Sequence, residues 1–195
     1  GSYLPDKVIS NTDLEKIVDT TNKWIMERTG ISNRRKAEVH ICSSDLGAEA
    51  AKLAIKDANL EPEDIDMIIS ASSSPDYTFP ATACLIQYKI KAKNAAAFDI
   101  QAACTGFVYG LTTAVQYIMT GQYKNILVVG SEVLSKITDW QDRNTCVLFG
   151  DGAGAVVVSQ IETGGVISSI LGADGSGANL LQVPAGGTKE PASLE

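Results

Sequence analysis

The fold is decided by one stretch in the middle of the chain, Ala97-Phe98-Asp99-Ile100-Gln101-Ala102-Ala103-Cys104-Thr105-Gly106-Phe107-Val108-Tyr109-Gly110-Leu111. Its first part is short and apolar, as in a buried strand, and its last part has the apolar spacing of a helix. Cys104 therefore lies where a strand turns into a helix. A helix N-terminus offers unpaired N–H groups and a partial positive charge, which favour a thiolate over a thiol. This placement indicates a nucleophile, with a buried core cysteine as the alternative.

Strand and helix patterns alternate on both sides of this stretch. Short apolar runs predict buried strands over 66–72, 95–100, 125–130, 155–159 and 166–171. Helical spacing and capping residues predict helices over 22–28, 43–59, 80–89 and 104–120, with Ser43 or Ser44 as a cap and another helix starting near Asn11. Strands separated by helices predict parallel βαβ units, with helices on both faces of a sheet.

The composition is that of a globular protein and narrows the possible partners. The 195 residues are 45% hydrophobic and carry a net charge of −7, which argues against a nucleic-acid groove. No apolar run approaches the roughly 20 residues of a membrane span. The 4 cysteines are widely spaced without a CxxC pair, so we predict no metal site and expect reduced thiols in the cytoplasm. His40 is the only histidine and lies in a polar stretch, which predicts an exposed loop residue.

Two further patterns each leave two interpretations open. Four basic residues occur within nine positions (Arg28, Arg34, Arg35 and Lys36). They form either a solvated loop or a binding site for phosphate. The run Gly150–Gly154 precedes a strand and lacks the lysine of a P-loop, so a tight turn is favoured over a phosphate loop.

Three further residues, one glycine and two tryptophans, are candidates for contact with a ligand or a partner. Gly106 leaves room for a neighbouring chain or a ligand at the first helical turn. Trp24 and Trp140 each cap the core or stack on a planar ligand.

Four sequence blocks, taken together in this order, resemble the β-ketoacyl-acyl-carrier-protein synthase III family. The blocks are Ser2–Pro5, Trp24–Ile31, Phe98–Phe107 and Phe149–Ala155. The resemblance covers essentially the whole chain. It implies an α/β, thiolase-like fold, of which this chain is the N-terminal half: five αβαβα layers in all, with a mostly parallel mixed sheet. It also implies two segments, a half that carries the nucleophile over 1–163 and the start of a connection to a second half over 164–195.

The same resemblance implies an acyltransferase that initiates type II fatty acid synthesis. Cys104 would accept an acyl group from acetyl-CoA or another short acyl-CoA, and its backbone N–H would belong to an oxyanion hole. Malonyl-acyl carrier protein would then lose carbon dioxide and attack the thioester. The resemblance implies a homodimer, no cofactor beyond the acyl-CoA substrate, no metal, and neither nucleic acid nor a membrane as partner.

Four more residues receive roles from the resemblance. Trp24 matches the residue that stacks on the CoA adenine, and Arg143 matches the arginine on the other side of that ring. Arg28 matches a residue near the CoA phosphates. Phe79 matches a residue that shapes the acyl pocket of the partner subunit across the dimer.

One step of the implied reaction has no residues in this sequence. The family performs decarboxylation with a histidine and an asparagine in motifs downstream of 185–187, and His40 lies in a different region. We therefore expect residues 1–195 alone to lack condensing activity. Two alternatives remain: a related starter synthase of polyketides or quinolones, and a non-catalytic half-protein subunit.

Overall fold

A mixed β-sheet forms the centre of the chain in a computed structural model that describes residues 1–192. The sheet has five strands in the order β1-β7-β6-β4-β5. They are β1 (Ser2–Tyr3), β4 (Met67–Ala71), β5 (Ala96–Ile100), β6 (Asn125–Val133) and β7 (Asp151–Ser159). The other two strands, β2 (Val8–Ser10) and β3 (Asn33–Arg35), pair antiparallel in a separate ribbon.

The strand directions confirm the predicted parallel βαβ core and the mixed character of the sheet. Strands β4, β5 and β6 run parallel, whereas β7 pairs antiparallel with β6, and β1 pairs antiparallel with β7. The sheet is therefore mixed, as the family resemblance implied, and the βαβ pattern does not extend to β7. A parallel pair needs a connection that crosses the sheet. Between Val133 and Asp151 the chain forms only a 3-10 turn and one four-residue helix, so it returns along the neighbouring position in the opposite direction.

Helices cover both faces of the sheet, as predicted. The six helices of residues 1–192 are α1 (Asn11–Leu14), α2 (Asn22–Thr29), α3 (Ser43–Asp57), α4 (Thr82–Ile90), α5 (Gly106–Met119) and α6 (Arg143–Cys146). Ile68 of β4 packs in the core beneath α3 and α4, while its neighbour Ile69 packs beneath α5. This alternation explains why β4 is apolar at successive positions. None of these helices is both long and apolar enough to cross a membrane.

Two predictions of local structure were wrong, one of a strand and one of a helix N-cap. Residues 166–171 form no strand, and Ile167 and Ile170 are 99% and 95% exposed, because no described strand lies beside them to pair with. The N-cap of α3 is Cys42, not Ser43 or Ser44. The Ser43 hydroxyl is bonded elsewhere, since it donates to the Ser131 carbonyl at 2.8 Å. The predicted division of the chain at 163/164 stays a prediction.

Helix α1 begins with a capping box that perturbs one carboxyl group. The Ser10 hydroxyl accepts from the Asp13 N–H at 3.2 Å, and the Asp13 carboxylate accepts from the Ser10 N–H at 3.1 Å. Hydrogen bonds from the Ser10 hydroxyl, and then from its amide, lower the pKa of Asp13 to about 2. Because the pKa is depressed in the folded state, the cap stabilises α1 above the unfolded pKa, near pH 4, and this contribution is lost as the pH falls towards 2.

We therefore expect Ser10→Ala to raise the pKa of Asp13 from about 2 towards its ordinary value. Titration of the Asp13 carboxyl carbon by NMR measures this change. Asp142 is the internal control, because its lowered pKa depends on hydrogen bonds from Asn144 and Thr145 and is expected to stay the same. An Asp13 pKa that does not move in Ser10→Ala contradicts the assignment.

Candidate functional site

Cys104 lies in a tight turn between β5 and α5, and its side chain is exposed. Residues Ala103–Thr105 form a 3-10 turn, so α5 begins at Gly106, two residues later than predicted. Ala103 has φ +45°, in the left-handed region that residues other than glycine rarely adopt. The left-handed backbone at Ala103 had no signal in the sequence, because alanine does not favour this conformation. The turn presents the thiol at the start of a 14-residue helix.

The Ala102 carbonyl closes this turn. It accepts hydrogen bonds from the Thr105 amide at 3.2 Å and from the Thr105 hydroxyl at 2.9 Å. Both donors come from the residue after Cys104, so the thiol is held between two bonded positions. The turn is therefore closed by hydrogen bonds between the residues on either side of the Ala103–Cys104 pair.

Gly106 brings α5 close to the sheet, which corrects the expectation that it leaves room for a ligand. A Cβ at Gly106 would lie 3.0 Å from the Cβ of Ala71, the last residue of β4. One turn later, a Cβ at Gly110 would lie 3.1 Å from the Val128 side chain of β6. The space beside both glycines is therefore filled by the sheet. Close contact of this kind fixes the first turns of α5 and, with them, the position of Cys104.

The carboxyl ends of the three parallel strands meet at the edge of the sheet where Cys104 lies. A polar network links the loop after β4 to both neighbours: the Ser73 amide donates to Glu132 Oε1 at 2.7 Å, and the Ser74 hydroxyl donates to the same carboxylate. The Ser73 hydroxyl also lies 3.5 Å from Gln101 Oε1. Ligands of open α/β sheets bind outside this edge. Sequence reasoning missed the network because it ended the β6 strand at Gly130, before Glu132.

Trp24 and two arginines form a second cluster, which we call the tryptophan cluster. The Arg28 Cζ lies 4.3 Å from the centroid of the Trp24 ring, and the Arg143 Cζ lies 4.9 Å from it. Arg143 is held there by a 2.8 Å hydrogen bond to the Asp19 carbonyl. The Trp24 ring is half-buried against an apolar core formed by Ile9, Leu14, Ile25, Cys146 and Val147. The structure thus brings together Trp24, Arg28 and Arg143, although Arg143 is far from the other two in sequence.

The tryptophan cluster suits a planar aromatic ligand that carries negative charge. The indole offers a flat face for stacking, and the two guanidinium groups offer cation–π contacts and positive charge. Arg28 lies in the last turn of α2 and is exposed to solvent. The packing of Trp24 against the apolar core confirms that it caps the core, and stacking on a planar ligand stays a prediction.

The remaining basic residues do not form one phosphate-binding surface, which corrects that interpretation of Arg34, Arg35 and Lys36. Arg34 is only 5% exposed, and burial lowers the pKa of its guanidinium from the ordinary value. The Arg35 side chain donates to the Pro5 carbonyl at 3.0 Å. The Lys36 Nζ lies 4.7 Å from the ring centroid of Trp140. Alternation along β3 sends neighbouring side chains in different directions.

The glycine run 150–154 also has a structural role. Asp151, at the start of β7, is buried and accepts from the Ser135 amide at 2.9 Å and from the Ala37 amide at 2.7 Å. A Cβ at Gly150 would lie 3.0 Å from the Arg34 Cβ, and a Cβ at Gly152 would lie 2.8 Å from the Leu4 side chain. The carboxylate is thus bonded to the protein, and the glycines admit neighbouring elements rather than phosphate.

Phe79 belongs to neither the Cys104 turn nor the tryptophan cluster, and residues 1–192 leave it largely uncovered. Its side chain is 83% exposed, just before α4. His40 is exposed in the loop between β3 and α3, as predicted. The cysteines are free thiols, of which Cys84 and Cys104 are exposed and Cys146 is buried. The described residues contain no group of three or more side chains placed to hold a metal ion.

The comparisons with known proteins point to one family. A profile described as 3-Oxoacyl-[acyl-carrier-protein (ACP)] synthase III matches residues 98–175. The Beta-ketoacyl-[acyl-carrier-protein] synthase III of Caldanaerobacter subterraneus subsp. tengcongensis is 58% identical over 196 residues, covering 100% of this chain and 59% of that protein. The chain therefore spans about three-fifths of the length of such relatives.

Solved structures agree with the sequence matches. The 3-oxoacyl-[acyl-carrier-protein] synthase III from Aquifex aeolicus VF5 has a TM-score of 0.81 and 54% identity, covering 84% of this chain and 53% of that one. The priming β-ketosynthase of the R1128 polyketide pathway has a TM-score of 0.89 and 35% identity, covering 92% of this chain and 54% of that one. These neighbours confirm the predicted thiolase-like α/β fold. In sequence and in fold, the chain is thus similar to part of the proteins named β-ketoacyl-[acyl-carrier-protein] synthase III.

Proposed function

We propose that this chain supplies the acyl-accepting part of an enzyme that initiates type II fatty acid synthesis. The observation that carries the proposal is the exposed Cys104 thiol on a left-handed turn, at the carboxyl edge of three parallel strands. The synthase III proteins of Caldanaerobacter subterraneus and Aquifex aeolicus, at 58% and 54% identity, are more similar to this chain than the polyketide priming enzyme at 35%, which favours the fatty-acid reaction. A cytoplasmic location fits the proposal, because a nucleophilic thiol has to remain reduced.

The first step is acyl transfer from acetyl-CoA, or another short acyl-CoA, to Cys104. The Cys104 sulfur attacks the thioester carbonyl and forms a new C–S bond, while the C–S bond to CoA breaks. The proton lost by the Cys104 thiol leaves with the CoA thiolate. The N–H groups at the start of α5 are directed towards the turn, and we assign the Cys104 amide to the oxyanion hole that stabilises the tetrahedral intermediate.

The second step is condensation with malonyl-acyl carrier protein. The bond between the malonyl carboxylate and its α-carbon breaks and carbon dioxide leaves. The carbanion then attacks the Cys104 thioester, which forms the C–C bond and releases the Cys104 thiolate. We assign no residue of this chain to the decarboxylation, since His40 lies exposed in a loop. The role of Cys104 in this step is to present the acyl group.

The tryptophan cluster is the proposed site for the adenine end of CoA. In the present structure, both arginines lie over the Trp24 ring. A purine that stacks on Trp24 replaces one of these contacts. An exposed cation–π contact contributes about 0.5–1 kcal/mol, whereas stacking of a base on an aromatic ring contributes about 1–3 kcal/mol. The exchange is therefore favourable, and Arg143 can stack on the other face of the purine while Arg28 attracts the phosphates.

The test of this proposal is direct detection of the acyl-enzyme. The full-length protein that carries this chain is incubated with acetyl-CoA, quenched in acid, digested and analysed by mass spectrometry. We expect the acetyl group on the peptide that contains Cys104. An unmodified Cys104 peptide, or acetylation confined to the exposed Cys84, would refute the proposal.

We also propose a homodimer built along β5. This strand is at the end of the sheet and pairs only with β4, so its outer edge is unpaired within residues 1–192. Unpaired edges favour pairing with another strand, and a two-fold axis would bring two copies of β5 together antiparallel. The exposed Phe79 has the aromatic character of interface residues and would enter the acyl pocket of the partner.

Light scattering after size exclusion tests the dimer. We expect the full-length protein to have twice its protomer mass, and Phe79→Asp to weaken dimerisation and slow acyl transfer because it would place a charge in an apolar interface. Val39→Asp is the matched control, since Val39 is 90% exposed and lies in a loop. A monomeric wild-type protein would exclude the proposed dimer.

A further inference from the structure

A buried polar pair lies beneath the tryptophan cluster and connects the two helices that form it. Arg34 is 5% exposed and Asn11 is 1% exposed. The Arg34 Nη1 donates to Asn11 Oδ1 at 2.9 Å. We call this pair the Asn11–Arg34 strut. Arg34, one of the four basic residues considered as a phosphate-binding group, is thus directed inward.

The arginine end of the strut reaches α6, which carries Arg143. The Arg34 Nη2 donates to the Val147 carbonyl at 2.8 Å, and Val147 is the C-cap of α6. Carbonyl groups at the end of a helix lack partners within the helix and carry partial negative charge. A buried guanidinium is therefore a well-matched partner for this helix end.

The asparagine end of the strut reaches α2, which carries Trp24 and Arg28. The Asn11 Nδ2 donates to Asn22 Oδ1 at 2.9 Å and to the Ile31 carbonyl at 2.8 Å. Asn22 is the first residue of α2, and Ile31 follows directly after its C-cap. Asn11 therefore holds both ends of α2.

The strut has a cost that packing alone does not explain. The Arg34 guanidinium is buried with neutral partners, and its Nε has no acceptor among residues 1–192. A buried charge without a carboxylate is less favourable than an apolar side chain of the same size. Buried polar groups of this kind instead fix one arrangement of the elements that they join.

We propose that Asn11 and Arg34 are positioning residues that set the spacing between Trp24 and Arg143, and thereby the affinity for the adenine end of CoA. This inference rests on the proposed function of the tryptophan cluster. Apart from the bond between them, the side-chain hydrogen bonds of Asn11 and Arg34 go to α2, to the C-cap of α6 and to Ile31, with one further 3.5 Å contact to the Ile9 carbonyl. A change in the strut is therefore expected to alter the distance between the Trp24 ring and the Arg143 guanidinium, without contact with the Cys104 turn.

Two variants in the full-length protein test the strut. Arg34→Lys keeps the charge but loses the planar fork, and Asn22→Ala removes an exposed acceptor from α2 while leaving Arg34 intact. We expect the acetyl-CoA KM to rise roughly 5- to 20-fold in Arg34→Lys and roughly 2- to 5-fold in Asn22→Ala, with kcat within about twofold of the parent. Quenching of Trp24 fluorescence by CoA, measured in a Trp140→Phe background, reports the same loss as a weaker Kd.

The control is Arg35→Gln, which removes a positive charge from the next position of β3, where the side chain binds the Pro5 carbonyl instead. Its KM should stay within about twofold of the parent. If Arg34→Lys does not fold, Asn22→Ala decides the outcome. An unchanged KM in Asn22→Ala, or a fall in kcat without a rise in KM, would overturn the role of the strut.

Trp24→Leu separates the two levels of the proposal. If it loses CoA affinity while Arg34→Lys and Asn22→Ala bind CoA like the parent, then only the strut is wrong. If Trp24→Leu itself binds CoA like the parent, then the tryptophan cluster is not the CoA site, and the strut proposal falls with it.

Discussion

Replacing Cys104 by alanine is expected to lower acyl transfer from acetyl-CoA by roughly a thousandfold or more, because the covalent step loses its only nucleophile. The side chain is exposed, and its turn is closed by backbone and Thr105 contacts, so the fold should survive the change. The measurement is the rate of CoA release together with the acetyl content of the protein. Circular dichroism confirms that the variant is folded.

The control for this variant is another cysteine at a helix N-terminus. Cys42 is the N-cap of α3, a position where serine is favoured, so Cys42→Ser should keep both stability and activity. An acetyl adduct that persists in Cys104→Ala, or a rate that falls equally in Cys42→Ser, contradicts the assignment of Cys104.

Gly106→Val is expected to give the second large effect, on stability and rate together. A Cβ at this position already lies 3.0 Å from the Ala71 Cβ, and the additional methyl groups of valine would push α5 away from β4. Overpacking of this kind destabilises a protein by about 1–3 kcal/mol. Because Gly106 is two residues from the nucleophile, the shift also misplaces Cys104, and an error of about 1 Å lowers a rate roughly 100-fold. Urea unfolding and the acyl-transfer rate measure the two effects.

An open glycine and a compensating change provide the controls. A Cβ at Gly154 of β7 would meet nothing within 4 Å, so Gly154→Ala should leave the free energy of unfolding nearly unchanged. Gly106→Ala should be milder than valine, and adding Ala71→Gly should recover part of its loss by removing the opposing methyl group. Additive losses in the double variant would show that the two residues do not contact each other.

The central strands and the long helices were predictable because their apolar patterns are strong. β4 is buried on both faces, so Met67, Ile68 and Ile69 are all apolar, and the helical spacing of α3 and α5 has no competing interpretation. The same apolar content misled the prediction at 166–171. Composition indicates that a segment can form a strand, but pairing requires a neighbouring strand that only the tertiary structure supplies.

The candidate site was predictable in part, and the difference lies in contacts between distant residues. Cys104 had a local signal in its position between a strand and a helix. Arg143 is 119 positions beyond Trp24, so only resemblance to a known family could pair them. Arg34 and Arg35 are identical in type, and a two-residue period cannot say which of them faces inward. Glu132 was missed for a related reason, since its partners Ser73 and Ser74 lie in the loop after another strand, β4.

The left-handed backbone of Ala103 also determines what a change from alanine to glycine at this position would do. Glycine would adopt φ +45° without the steric cost that alanine bears, about 1–2 kcal/mol, but it would lose about 0.5–1 kcal/mol through the greater freedom of the unfolded chain. The steric cost is the larger of the two contributions, so Ala103→Gly is expected to leave the free energy of unfolding unchanged or to raise it by up to about 1 kcal/mol. Alanine restricts the turn to fewer conformations than glycine does. At position 103, the rigidity of the backbone that carries the thiol is therefore obtained at some cost in folding free energy.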